Sequence, residues 1–286
     1  MLVYGLINSA VLALMALGFN LTFGISGVAN FAYGAIYVVS GFLTWTLINH
    51  LHLPYAISAI ITISAIGIFG GLVYKFIIRR IRGLVISEVI ATFGISIVIL
   101  EFLRYVGFIG FKYSLPVFIK GSVEIFDAYV DIQRLLIIAF GIFLITGLYL
   151  FTHHTKIGLA FRGIAQEEHT SLSLGINPDR IAGWSMGMGS ALGALAAIVI
   201  LPLGTITVDS GYDVLISALS VCIVGGLGST FGVIIASFII GYAQTITATY
   251  VSAHWTMIVS LVAILIILAI KPSGLLGHQK ELEERV

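Results

Sequence analysis

Charged side chains are scarce in this sequence. Of its 286 residues, 9% are Asp, Glu, Lys or Arg and 59% are apolar. An ordinary soluble domain is about 25% charged and about 45–50% apolar. A soluble fold so poor in charge would expose broad apolar patches and aggregate, so a soluble globular enzyme is nearly excluded, and so is a disordered chain. Neither sign of charge dominates: 14 Lys and Arg stand against 13 Asp and Glu, for a net charge of +1, which gives no pull toward nucleic acid or another polyanion. A single cysteine, Cys222, excludes an internal disulfide and a multi-cysteine metal site. Catalytic signatures are missing as well. The glycine cluster from Gly225 to Gly232 has no Lys where a phosphate-cradling loop needs one, so this chain is expected to bind no ATP itself. His-Glu-x-x-His does not occur, which removes the usual zinc proteolytic signature.

What is present is long apolar sequence. No charged residue precedes Lys75, and between Arg180 and Lys271 only Asp209 and Asp213 are charged. A membrane span needs about 20 apolar residues, and each stretch holds several. The opening Met1-Leu2-Val3-Tyr4 lacks a basic n-region, so the first segment reads as a retained span. Nine segments can be marked, near 3–23, 31–49, 54–76, 84–106, 130–152, 181–203, 213–227, 230–250 and 255–271. They are apolar on both parities, which excludes barrel strands. The segment 213–227 is short and ends in Gly225-Gly226-Leu227-Gly228; it reads as a full span or as a half-helix shielded by protein.

Lys and Arg set the orientation. Lys75, Arg79, Arg80, Arg82, Lys156, Arg162, Arg180, Lys271, Lys280 and Arg285 fall on one side after strict alternation. Arg104, Lys112, Lys120 and Arg134 fall on the other, ten against four. The first set is expected in the cytoplasm, with the N-terminus outside and the C-terminus inside. Two connections are long: an outer one at 107–129 and an inner one at 153–180. The inner one alternates apolar and polar residues near helical spacing from Ile157 to Ala165, with a helix stop at Gly175 and a turn at Asn177-Pro178. Short amphipathic helices are expected there, serving either a partner or only the membrane surface.

Candidate polar sites are few. His50 and His52 read as loop residues, and His153 and His154 as headgroup-level residues. Glu88 lies a turn from the basic cluster, and Glu101 and Arg104 are spaced to pair. No chain of acids crosses the membrane, so proton-coupled transport lacks support. The first span carries Asn8, Ser9, Asn20, Thr22, Ser26 and Asn30. Amides in hydrocarbon must be paired, so these either bond a neighbouring helix or line a wet path. The pairs Gly67/Gly71, Gly183/Gly187, Gly189/Gly193 and Gly228/Gly232 have small-xxx-small spacing and are expected to let backbones approach. Cys222 reads as a small buried hydrophobe. A glycine-rich break at Phe23-Gly24-Ile25-Ser26-Gly27 has a candidate counterpart at Gly225-Gly226-Leu227-Gly228. With segments one to four and six to nine as related halves, an odd count between them gives opposite topologies, a transporter pattern.

Three stretches carry a resemblance. LALMALGFNLTFGISGVANFAYGAIYVVSGFL at 12–43 includes Gly27-Val28-Ala29-Asn30-Phe31-Ala32-Tyr33-Gly34. GLAFRGIAQEEHTSLSLGINPDRI lies at 158–181, and VCIVGGLGSTFGVIIASFIIG at 221–241. Together they resemble branched-chain amino acid ABC transporter permeases of the LivH type, with its Gly-Val-x-Asn-Phe-Ala-His-Gly signature, its Arg-Ala…Leu-Gly-Ile cytoplasmic loop and its late Gly-Gly-x-Gly-Ser segment. Tyr33 stands where the signature has His, and His169-Thr170-Ser171-Leu172-Ser173 replaces a run richer in Ala and Arg. The resemblance implies an all-α polytopic membrane protein of 8–9 transmembrane segments with inverted repeats, a type II importer-like permease forming a single domain over 1–286. It implies a second permease subunit of the LivM type, two cytoplasmic ATPases that hold ATP and Mg, and an extracytoplasmic solute-binding protein. The path would carry branched-chain or related amino acids by alternating access. The loop 158–176 would couple to an ATPase through Arg162, Gln166, Glu167 and Gly175, and Asn8, Asn20 and Asn30 become candidates for the path. No cofactor is expected in this chain. The alternative is a passive channel or permease for a small neutral solute such as urea or an amide.

Overall fold

The computed structural model describes residues 1–110, 113–119, 121–125 and 128–277. Lys112, Lys120, Asp127, Lys280 and Arg285 lie outside them. Each of the nine marked segments is helical: α1 (Leu2–Ser26), α2 (Tyr33–Asn49), α3 (Tyr55–Val73), α5 (Val85–Val106), α6 (Ile132–His154), α9 (Pro178–Ile200), α10 (Ser210–Gly225), α11 (Thr230–Tyr250) and α12 (Thr256–Ile270). α3 continues through a π turn, Tyr74–Ile78, into the short α4 (Arg79–Ile81), and the inner loop holds α7 (Lys156–Gln166) and α8 (Glu168–Ser173). Among the described residues, seven helices are long and apolar enough to cross a membrane. α2 and α10, with 17 and 16 residues, are shorter. The outer helices present large apolar side chains outward, among them Val98, Phe102, Phe143, Leu265 and Ile270. That surface suits lipid and would be insoluble in water.

α1 and α9 are the buried centre. α1 packs against α9, α10 and α11, and α9 packs against α1, α2 and α3. α2 and α10 pack on each other; α2 also meets α3 and α5, and α10 meets α11 and α12. Exchanging α1 with α9, α2 with α10, α3 with α11 and α5 with α12 reproduces these pairings; the contact of α11 with α12 is matched only by that of α5 with the π turn after α3. The chain is therefore built from two related halves separated by α6. The glycine breaks are not the symmetry mates that the sequence suggests. The mate of the 27–32 connection is 204–209, because each joins a central helix to a short one. Gly24 instead lies against Gly228 in space.

Small residues make the crossings possible. Gly18 and Gly189 bring α1 and α9 into backbone contact, Gly193 accepts the Tyr33 ring, and Gly67 and Gly71 face Gly183 and Gly187 between α3 and α9. α1 runs unbroken through Gly24 and ends at Gly27, whose φ of 69° suits glycine and whose N–H donates to the Phe23 carbonyl. The connection then folds back into the bundle. Tyr33, fully buried, lies over Gly18, eight residues before the end of α1, or about 12 Å in from that end. α10 likewise begins inside, with Gly211 against Gly34. The 27–32 connection is thus largely covered by protein, the condition for non-helical structure at membrane depth, whereas Gly204, Thr205 and Asp209 of the second connection stay exposed.

The 107–129 connection contains a feature outside the all-helical expectation. Strands β1 (Ser122–Ile125) and β2 (Ala128–Asp131) pair antiparallel, with Val123 opposite Val130 and Glu124 opposite Tyr129. Beside them, Tyr113 and Phe108 pack with Phe42 and Trp45. Gln133 is buried and links three elements: its side chain accepts from the Phe118 N–H at 3.1 Å and donates to the Val199 carbonyl at 3.0 Å.

Candidate functional site

Two regions concentrate the polar chemistry. The first is the basic end of the molecule. Thr155 caps α7 by accepting the Gly158 N–H at 2.9 Å, and α7 buries Phe161 and Ile164 against α1 and α6. Its opposite side leaves Leu159 62% exposed, and past α8 Leu174 is 76% exposed. Asn177 caps α9 by accepting the Arg180 N–H, and Pro178 supplies a preset φ at its first turn. Asp179, in that turn, collects donors from the end of α3. Arg79 Nε lies 3.1 Å from it, Arg82 Nη1 2.9 Å, and the Tyr74 hydroxyl 3.4 Å. Arg82 also reaches Glu168 of α8 at 2.9 Å. The Arg82 guanidinium therefore ties α8 and α9 to the turn after α4, and Asp179 ties α9 to the π turn through Tyr74. From the sequence, Arg79 and Arg82 stand out only as orientation markers. The carboxylates that fix them are distant in sequence, and the spacing gives no sign of the pairing.

Of the loop residues nominated from the resemblance, Gln166 and Glu167 are exposed. Arg162 is partly buried on α7, and its Nε is enclosed without a partner among the described residues. Gly175 has a φ of 83° and ends α8.

The three amides are dispersed. Asn8 Nδ2 donates to the Gly241 carbonyl and to Gln244 Oε1, each at 3.0 Å. Asn20 is 3% exposed, and its Oδ1 accepts the Gly228 N–H at 2.9 Å. Both amides tie α1 to the second half of the molecule. Asn30 turns the 27–32 connection: its Oδ1 accepts the Ala32 N–H, and its Nδ2 is buried with no partner among the described residues. None of the three lines either of the two cavities described next.

One cavity, of about 210 Å³, lies between α1, α2, α10 and the 201–205 segment. Tyr37, Thr205, Ser210, Asp213 and Ser217 supply its polar groups, and Met15, Leu201 and Val214 its apolar wall. The other is a groove of about 820 Å³ between α3 and α9, floored by the facing glycines, with Lys75, Arg79 and Arg180 at one end. In the sequence Asp213 is only one of two charges in a long apolar stretch. Its relation to Tyr37 arises from the packing of α2 on α10. Above the first cavity, Arg104 pairs with Glu101, as the i,i+3 spacing predicts, and also with Asp209. Glu88, by contrast, is 3% exposed and accepts the Gly83 N–H at 2.8 Å, holding the turn into α5. Cys222 is buried against the Ala16 carbonyl.

Two inverted halves, short helices starting inside the bundle and an amphipathic pair at one end define a multi-pass transport permease. A solved chain, PsaBC from Streptococcus pneumoniae in complex with Fab, shares the fold with a TM-score of 0.53 and 12% identity, covering 94% of this chain and 91% of that one. Residues 1–268 match the family described as branched-chain amino acid transport system / permease component, and the chain belongs to that family. It is 26% identical to the high-affinity branched-chain amino acid transport system permease protein LivH of Salmonella typhimurium, over 93% of this chain and 91% of that protein. It is also 26% identical to the corresponding BraD protein of Pseudomonas aeruginosa, over 97% and 95%. A LivM permease from Salmonella typhimurium matches at 21% over 92% of this chain and 67% of its own length.

Proposed function

We propose that this chain is the permease subunit of an ATP-driven importer and forms half of a path for branched-chain or related amino acids. The observation that carries this reading is the family match across residues 1–268. The two-half bundle supports it, because a pathway between related halves is the usual transporter design. A LivM-type subunit would supply the facing half, two ATPases would hold ATP and Mg, and a solute-binding protein would deliver the solute from outside. The basic end is assigned to the cytoplasm by the excess of Lys and Arg.

The coupling loop would act through α7 and α8. Their exposed Leu159, Leu172 and Leu174 provide an apolar docking surface, and Arg82, Glu168 and Asp179 connect it rigidly to α3 and α9. Closure of the ATPase pair would push this unit as a body and shift the balance between two arrangements of the central helices.

The test is reconstitution of the full complex in vesicles with ATP enclosed and binding protein outside. Leucine uptake is expected only when all components are present. Arg162→Glu is expected to lower uptake and solute-stimulated hydrolysis together while the complex still assembles. In the same vesicles, an impermeant maleimide is expected to reach Thr170→Cys only from the ATP side; the native Cys222 is buried and adds no background. ATP-independent leucine equilibration would overturn the importer reading. Labelling from the opposite side would overturn the orientation.

A further inference from the structure

Hydroxyl groups in the membrane helices are mostly satisfied within their own helix. Ser9, Thr22, Ser26, Ser40, Thr245 and Thr247 each donate to the carbonyl four residues earlier. The cavity between α1, α2 and α10 departs from this pattern. Tyr37 is 1% exposed, lines the cavity and makes no hydrogen bond among the described residues. Thr205 and Ser217 line it without a hydrogen bond among those residues, and Asp213 lines it with neither a cation nor a donor. The nearby carboxylate, Asp209, is held by Arg104, so that guanidinium already has its partners. Among the described residues, no Lys or Arg lines the cavity. Asp213 is exposed in the first turn of α10, and a carboxylate left unpaired on a helix of a membrane bundle marks a functional group by default.

We propose that Asp213 and the hydroxyls of Tyr37, Thr205 and Ser217 form the subsite that receives the primary ammonium of the transported solute. A primary ammonium offers three donors and no acceptor, and hydroxyl and carboxylate oxygens accept them. Met15, Leu201 and Val214 give the same cavity an apolar wall, matched to an aliphatic chain beside that ammonium. The carboxylate is exposed on one side, which allows release as well as capture, the requirement for a site on a path. This assignment rests on the amino acid transport reading for the identity of the solute; cation selection by the carboxylate does not depend on it.

The experiment uses the assembled complex. In a Ser217→Cys variant, the rate of modification by a positively charged thiosulfonate is compared with that of a negatively charged one. A clear preference for the cationic reagent is expected, with the preference abolished when Asp213→Asn is added. Equal rates for both reagents, or a preference that survives Asp213→Asn, overturn the subsite. Separately, Asp213→Asn alone is expected to raise the apparent KM for leucine roughly tenfold to hundredfold, the range of a hydrogen bond to a charged group. Tyr37→Phe should raise it less. An unchanged KM in Asp213→Asn overturns the assignment even if the complex is fully stable. If the unmodified complex moves no leucine, the transport reading fails together with the solute named here, while the reagent rates still decide whether Asp213 selects cations.

Discussion

The two halves share a plan but not a surface. α2 and α10 occupy matching places, each entering the bundle after a six-residue connection, at 27–32 and 204–209. α2 is mostly buried and contributes Tyr33, Tyr37 and Phe42 to the core. α10 keeps Asp213 exposed and Ser217 partly so. A symmetric backbone thus frames an asymmetric cavity, lined by a tyrosine from one half and a carboxylate from the other. The connections differ in the same sense. Asn30 holds the first by bonding its own turn. Ser210 holds the second by donating its N–H to the Thr207 hydroxyl and its hydroxyl to the Thr207 carbonyl, and Asp209 is further tied to Arg104.

The largest expected effect comes from the glycines where these two short helices cross. A methyl group on Gly34 would collide with the Gly211 carbonyl, which is backbone and cannot rotate away. A methyl group on Gly211 would lie 3.2 Å from the Gly34 carbonyl oxygen and 3.3 Å from Val38 Cγ2, a tight but adjustable fit. Gly34→Ala is therefore expected to destabilise the purified complex by about 3 kcal/mol, the upper part of the overpacking range, and Gly211→Ala by about 1 kcal/mol. Thermal melting in detergent measures both. Equal losses would mean that the crossing relaxes symmetrically and that the halves do not differ there.

Asn20→Leu comes next. It removes the acceptor for the Gly228 N–H and one tie between α1 and the α10–α11 turn. A loss of about 1 kcal/mol is expected, with uptake and melting temperature falling together. Loss of uptake at an unchanged melting temperature would instead place Asn20 on the path.

How much of this was legible in the sequence differs between the helices and the connections. The helices follow from composition, because a run such as 2–26 satisfies its own backbone and needs no partner to be recognised. The small-residue pairs were legible too, since their spacing puts glycines on one helix face, and Gly67, Gly71, Gly183 and Gly187 do meet. The connections were not. The return of 27–32 into the bundle depends on Tyr33 finding Gly18 and Gly193, a contact between residues far apart in the chain. The Arg82, Glu168 and Asp179 network and the Tyr37–Asp213 cavity are likewise products of tertiary packing. The glycine break at 23–27 was misplaced as a symmetry element because glycine serves two purposes there: Gly27 ends a helix, while Gly24 makes room for Gly228.

The smallest expected effect tests the difference between the halves where each short helix meets its outer neighbour. α2 and α3 meet through hydroxyls: Thr44 and Thr62 lie 3.0 Å apart and both are fully buried. α10 and α11 meet instead through glycine backbone, Gly225 against Gly232. Interhelical hydrogen bonds within membranes contribute little, about 0.6 kcal/mol, because the separated helices find other partners. Thr44 retains one: its hydroxyl also lies 2.8 Å from the Ser40 carbonyl. Thr62→Val keeps the side-chain shape and removes only the hydroxyl, so a loss near that figure is expected, with uptake unchanged. Gly232→Ala probes the matching interface with the same readout and should cost far more, since its added carbon meets the Gly225 carbonyl. Melting curves of the two variants, measured side by side, decide the point. If Thr62→Val is as damaging as Gly232→Ala, the first half depends on polar contacts to the same degree that the second depends on close packing, and the hydroxyl pair is a principal tie between α2 and α3.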